Sequence, residues 1–132
     1  MIISALFLSS MINAEPVKYA PALPENLSEV EEAIWHKKPK ATKASINKVQ
    51  KIAKANGCKP ATPIKHYEAF KIVVLLLVDE KGNVKQMTPV ANGCAAVEEF
   101  GANQLREKIG DLRSKPLGNK DKWYRASILY NW

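Results

Sequence analysis

Seven consecutive apolar residues, Ile72 to Val78, constrain this chain more than any other feature. The run is too short for a buried helix and rich in β-branched side chains, so it reads as a strand. It shows no polar alternation, which places it centrally in a sheet with little solvent on either face. Asp79-Glu80-Lys81-Gly82-Asn83 follows with turn chemistry, Gly82 being free to take positive φ. Val84 to Val90 is a second, more polar run, and two strands joined this closely pair antiparallel as a hairpin. Pro89 has no N–H to give a ladder, so it belongs at an edge or a bulge.

The flanking segments read as helices. Asn26 is placed as an N-cap ahead of Glu29, with Leu27, Val30 and Ile34 on one helical face and Pro39 ending the stretch. A second amphipathic helix, Thr42 to Ala55, buries Ile46, Val49 and Ala53 and ends at Asn56-Gly57. A third, Cys94 to Ile109, carries the stripe Val97, Phe100, Gly101, Leu105 and Ile109. Glycine in mid-helix costs about 1 kcal/mol relative to alanine, which points to a close approach to the sheet at Gly101. Tyr124 to Tyr130 alternates as a last strand, with Tyr124, Ala126, Ile128 and Tyr130 inward and Arg125, Ser127 and Asn131 outward. A right-handed crossover through the third helix lays this strand on the free side of the central one. The expected fold is α+β: N-terminal helices, then a three-stranded mixed sheet with the C-terminal strand as an open edge.

A chain of 132 residues with 46% hydrophobic content supports one small domain. Met1 to Ala14 is apolar and uncharged with small residues near its end, similar to the core and cleavage junction of a secretory signal peptide. Residues 15–40 are expected to form an extended, proline-bearing segment and a short helix, and 41–132 the α+β domain. No stretch reaches about 18 consecutive apolar residues, so no transmembrane helix is expected.

The net charge of +7 belongs to one segment. Eight lysines from Lys37 to Lys59 stand with no acidic residue among them, while the rest of the chain nearly balances. On the second helix Lys43, Lys48, Lys51 and Lys54 form a basic face, suited to solvation or to an acidic protein, phosphate or anionic headgroup. Nucleic-acid binding would need aromatic or arginine partners among these lysines, and only Trp35 is close, so none is expected.

Cys58 and Cys94 are the only cysteines, and an even count behind an export signal points to a disulfide. The rival readings are a Cys94 thiol with His66 as base, or a zinc site with Cys58, Cys94, His36 and His66. The first lacks a third orienting residue and the second lacks metal-ligand spacing. Glu31-Glu32, Asp79-Glu80 and Glu98-Glu99 are adjacent carboxylates that point apart on a helix or strand. With no glycine-rich phosphate loop and no G-x-S-x-G either, neither an enzyme nor a cofactor is expected.

From about Ile64 to Trp132 the order of motifs resembles the C-terminal domain of TonB-type energy transducers, with the related TolA domain behind it. The residues are Val78-Asp79, Lys81-Gly82-Asn83-Val84, Val97-Glu98-Glu99-Phe100-Gly101-Ala102, Lys115-Pro116 with Gly118, and Ser127-Ile128-Leu129-Tyr130. The resemblance implies a binding module of similar fold rather than energy transduction itself. The expectation is a periplasmic or secreted protein that binds an extended segment of an envelope protein by β-augmentation. The edge would comprise Arg125, Ala126, Ser127, Ile128, Leu129, Tyr130 and Asn131. The rival is an inhibitor or immunity-type protein whose basic helical face meets an acidic partner. An open edge also allows a homodimer.

The mature chain is expected to begin at Glu15. N-terminal sequencing of the protein from its native host checks this, and intact Met1 in a soluble cytoplasmic fraction would sink the export argument.

Overall fold

The computed structural model of the chain describes residues 22–59 and 69–132. The signal-like opening and His66 lie outside these residues. A single 3-10 turn at Leu27–Glu29 precedes β1 (Glu31–Glu32), α1 (Lys43–Ala55), β2 (Ala69–Val78) and β3 (Val84–Pro89). Then come α2 (Ala95–Glu107), a 3-10 turn at Ile109–Asp111, and β4 (Lys122–Asn131). The strands form one mixed sheet in the order β1-β4-β2-β3.

The apolar run is central, as its composition requires. β2 pairs antiparallel with β3 on one side and with β4 on the other, from Ala69 opposite Asn131 to Val78 opposite Lys122. One face of β2, with Phe70, Ile72, Val74, Leu76 and Val78, meets Val49 and Ala53 of α1 and Val97 and Leu105 of α2. On the other face Leu75 and Leu77 pack with Trp123 and Val30. Both faces are therefore dry over most of the strand, and period-2 alternation is lost for that reason.

The hairpin turn rests on Asp79. Its Oδ1 accepts the N–H of Asn83 at 2.8 Å and of Lys81 at 2.9 Å, and these bonds hold the carboxyl below the usual aspartate range. Gly82 takes φ 87°, the left-handed conformation the turn needs. The register shifts between Leu77 and Val78, so Lys85 is the extra residue of a bulge, and Pro89 ends β3 at the outer edge.

The two helices cover one face. Thr42 and Ser45 cap α1 reciprocally: Thr42 Oγ1 accepts the Ser45 N–H at 3.1 Å and Ser45 Oγ accepts the Thr42 N–H at 2.8 Å. A Cβ placed on Gly101 of α2 would stand 2.7 Å from Ile72 Cγ2, so only glycine permits this separation of helix and sheet. The Cys58–Cys94 disulfide, with Cα atoms 5.7 Å apart, ties the end of α1 to the residue that begins α2.

The N-terminal part corrects the expectation. Asn26 does act as a cap, its side chain accepting the Ser28 N–H, but the helix stops after one 3-10 turn. The chain then runs extended, and β1 pairs parallel with β4, Glu31 opposite Tyr124 and Glu32 opposite Arg125. The sheet thus has four strands rather than three, one α-helix rather than two precedes the hairpin, and β4 is not an open edge along its whole length. Leu27 and Val30 cover the Leu75–Leu77 face while Ala33 reaches the helical side, a division that a single helical stripe could not make. Ile34, expected on that stripe, is 59% exposed. The next residues pair with the loop before β4: His36 N–H donates to Asp111 O at 2.7 Å and Arg113 N–H to Ile34 O at 2.8 Å. The third expected helix also stops short, at Glu107 rather than Ile109.

Gly101→Val should destabilise the fold by about 1–3 kcal/mol through overpacking against Ile72, read from urea denaturation. Gly101→Ala should cost less, because alanine restores about 1 kcal/mol of helix propensity. Combining Gly101→Val with Ile72→Ala should recover part of the loss; strictly additive effects would show that the two positions are not in contact.

Candidate functional site

Backbone direction decides which groups of β4 are accessible. In a strand the N–H and C=O of alternate residues point to opposite neighbours. The Ala33 N–H donates to Arg125 C=O at 2.8 Å, so Arg125 faces away from β2. Ser127, Leu129 and Asn131 share that direction. On the same grounds Tyr124, Ala126, Ile128 and Tyr130 face β2, and their side chains are core, each at most 4% exposed.

The edge expected over Arg125 to Asn131 therefore divides. Arg125 is taken by the β1 segment. Ala126, Ile128 and Tyr130 give their backbone to β2 and their side chains to the interior. Ser127, Leu129 and Asn131 lie opposite Val73, Lys71 and Ala69 of β2 but direct their main-chain groups outward, where no strand pairs with them among the described residues. Leu129 is 41% exposed beside them.

The covered and uncovered halves of β4 differ in charge. The covering segment is acidic, with Glu29, Glu31 and Glu32, and Lys122 Nζ bonds Glu31 Oε1 at 2.8 Å. That bond holds the Lys122 ammonium above its ordinary range. After Ala33 the chain leaves β4 for the loop at 111–114, with Ile34 N–H donating to the buried Ser114 Oγ at 2.7 Å. It returns past the uncovered half as Lys37-Lys38-Pro39-Lys40. A groove between this segment and β4 is lined by Lys38, Pro39, Lys40, Ile46, Ser127 and Leu129, among others. It adjoins a cleft of about 630 Å³ that reaches Gln104, Glu107 and Lys108 of α2, with Asp111 and Ile128 also on its wall. There the Tyr130 hydroxyl donates to Gln104 Oε1 at 2.6 Å, and burial pushes the phenol well above its usual range, so it stays a donor at any ordinary pH.

The other candidates are placed as follows. Lys43, Lys48, Lys51 and Lys54 are all exposed on α1, opposite its buried Ser45, Val49 and Ala53. Cys58 and Cys94 are joined, so neither offers a thiol. His36 Nδ1 lies 3.2 Å from Arg113 Nη2. Among the described residues no three His, Cys, Asp or Glu side chains come together to hold a metal ion. Lys37, Lys38 and Lys40 were legible only as part of a basic run, since sequence places Lys37 and Lys38 at a helix end and Lys40 just beyond the Pro39 that stops it. Comparison with family models, curated proteins and solved structures found no match to the chain.

Amide exchange should alternate along β4. Ala126 and Ile128 should exchange slowly, and Ser127 and Leu129 rapidly, measured residue by residue by NMR. Slow exchange at Ser127 and Leu129 in the isolated protein would mean that another segment already covers this edge.

Proposed function

We propose that the protein is a binding module that holds an extended segment of a partner protein as an added strand beside Ser127, Leu129 and Asn131. The observation that carries this reading is the set of outward main-chain groups at these three residues, on a strand whose other side is locked along its full length to β2. Such an edge is rigid and pre-aligned, and an incoming strand satisfies its donors and acceptors without reorganisation. The resemblance to TonB-type C-terminal domains supports the same mode of binding. The disulfide is compatible with an oxidising compartment outside the cytoplasm, and no described helix is long and apolar enough to cross a membrane.

The length of the free edge limits what main-chain bonding supplies. Six outward backbone groups at about 1 kcal/mol per bond give about 6 kcal/mol. Association itself costs at least about 4 kcal/mol, so main-chain bonding alone binds no more tightly than roughly millimolar. Side chains at the rim must therefore provide selectivity and most of any tighter affinity.

Proline substitution separates edge binding from other modes. Ser127→Pro removes an outward N–H on the free side, so the fold should survive while binding of peptides selected from a random display library falls at least about tenfold. Ala126→Pro removes an N–H directed at β2 and should unfold the domain, seen by circular dichroism. Peptides that bind Ser127→Pro as tightly as the parent would move the site away from this edge. Loss of binding in Lys48→Ala/Lys51→Ala instead would place it on the helical lysine face.

A further inference from the structure

The uncovered half of β4 is bordered by positive charge. Lys38 and Lys40 line the groove along Ser127 and Leu129, and no acidic residue is among the described residues that line it. Lys37 extends the row into the adjoining cleft, where Lys37, Lys38, Lys40 and Lys108 outnumber Glu107 and Asp111. On the other face of the sheet the exposed Lys71 stands directly opposite Leu129. Lysines thus flank the free edge on both faces of the sheet.

The chain itself shows what kind of strand β4 accepts. Its one added neighbour, β1, is the dipeptide Glu31–Glu32, preceded by Glu29 and held by the Lys122–Glu31 ion pair. A short segment rich in glutamate has been laid on this edge in extended form, next to a lysine. The free half repeats the arrangement, with lysines along it and no acidic strand beside it among the described residues. A second copy of this chain would be a poor occupant. Two β4 edges brought together would set Lys38, Lys40 and Lys71 of each copy close to the same residues of the other, and like charges in juxtaposition oppose docking.

We propose that the free edge at Ser127–Asn131 selects an acidic extended segment, whose carboxylates meet Lys38 and Lys40 while its backbone pairs with β4. This inference rests on the strand-addition reading and names the partner's chemistry. The groove floor suits the remaining positions of such a segment: Pro39, Ala41, Ile46 and Ile128 are apolar or small, so acidic residues would be interspersed with aliphatic ones. Exposed ion pairs each contribute only a few-fold, so two rim lysines amount to about tenfold in affinity. The effect must also weaken with salt, because the pairs are accessible to solvent.

Three fluorescein-labelled peptides of about eight residues test this, long enough to span the free edge. They share an alternating valine frame and carry glutamate, serine or lysine at the remaining positions. Anisotropy titrations at about 20 mM and about 300 mM NaCl bracket weak and strong screening. The glutamate peptide should bind about tenfold more tightly than the serine peptide at low salt, the lysine peptide least, and high salt should narrow the spread. Lys38→Ala/Lys40→Ala should abolish the glutamate preference, whereas Lys48→Ala/Lys51→Ala should leave it intact, with thermal melts confirming that both variants fold. Equal binding of all three peptides, lost in Ser127→Pro, would overturn the acidic preference and leave strand addition standing. A glutamate preference that survives in Ser127→Pro would overturn strand addition, since the lysines would then be attracting anions without the edge. Preference retained in Lys38→Ala/Lys40→Ala would overturn the assignment to this rim. No binding of any peptide at millimolar concentration would count against both readings.

Discussion

The structure depends on keeping β2 away from water on all sides. Five alternate side chains of this strand meet the two helices, and Leu75 and Leu77 face the other way, so neither face can be left bare. A strand of this kind is stable only with neighbours on both sides and a layer above and below. β3 supplies one neighbour through the tight hairpin and β4 the other through a ladder ten residues long on each strand. α1 and α2 form the layer on one face, and the segment around Leu27 and Val30 begins the layer on the other. The disulfide keeps the two helices in register at one end of the sheet, and Gly101 sets how closely α2 lies on Ile72.

The shape of the candidate site follows from a competition at the outer side of β4. The N-terminal segment starts to pair there at Glu31, and nothing in strand geometry obliges it to stop after two residues. It stops because the loop at 111–114 offers better partners: the buried Ser114 hydroxyl for Ile34, a bridge between Trp35 and Leu112, and the Asp111 carbonyl for His36. The chain is drawn away from β4 after Ala33, and Pro39 is buried further along. The same diversion leaves Ser127, Leu129 and Asn131 without a neighbour on their outer side among the described residues and brings Lys38 and Lys40 alongside them. An exposed sheet edge invites unwanted pairing, and charged residues beside it are a usual means of discouraging that. In the proposed reading the lysines would also distinguish between partners by charge.

Several features were legible from local chemistry alone. An apolar run without alternation marks a central strand, and Asp79 with Gly82 marks its turn. A glycine within an apolar helical stripe marks a close approach, and two cysteines behind a signal-like opening mark a disulfide. Each depends on residues near one another in sequence, or on a count, so no knowledge of the rest of the chain was needed. The alternation of Tyr124 to Tyr130 likewise shows which side chains are core, and it separates Ser127 and Asn131 from Ala126 and Ile128.

Only the tertiary structure decided what happens between Asn26 and Pro39. Locally this stretch satisfies helix rules, with a cap, acids in the first turns, lysines at the end and apolar residues at helical spacing. A short helix contributes little by itself, however, because nucleation is costly and most helical stability comes from packing. Ladder bonds to β4 and the pairing with residues 111–114 outweighed that weak preference, and a strand two residues long carries no periodicity by which sequence could reveal it. Lys37, Lys38 and Lys40 moved with that correction, from the end of a supposed helix and the residue just past it to the border of an open strand edge. Composition determined that this segment is basic; the partners the chain found on the far side of the sheet determined what that charge borders.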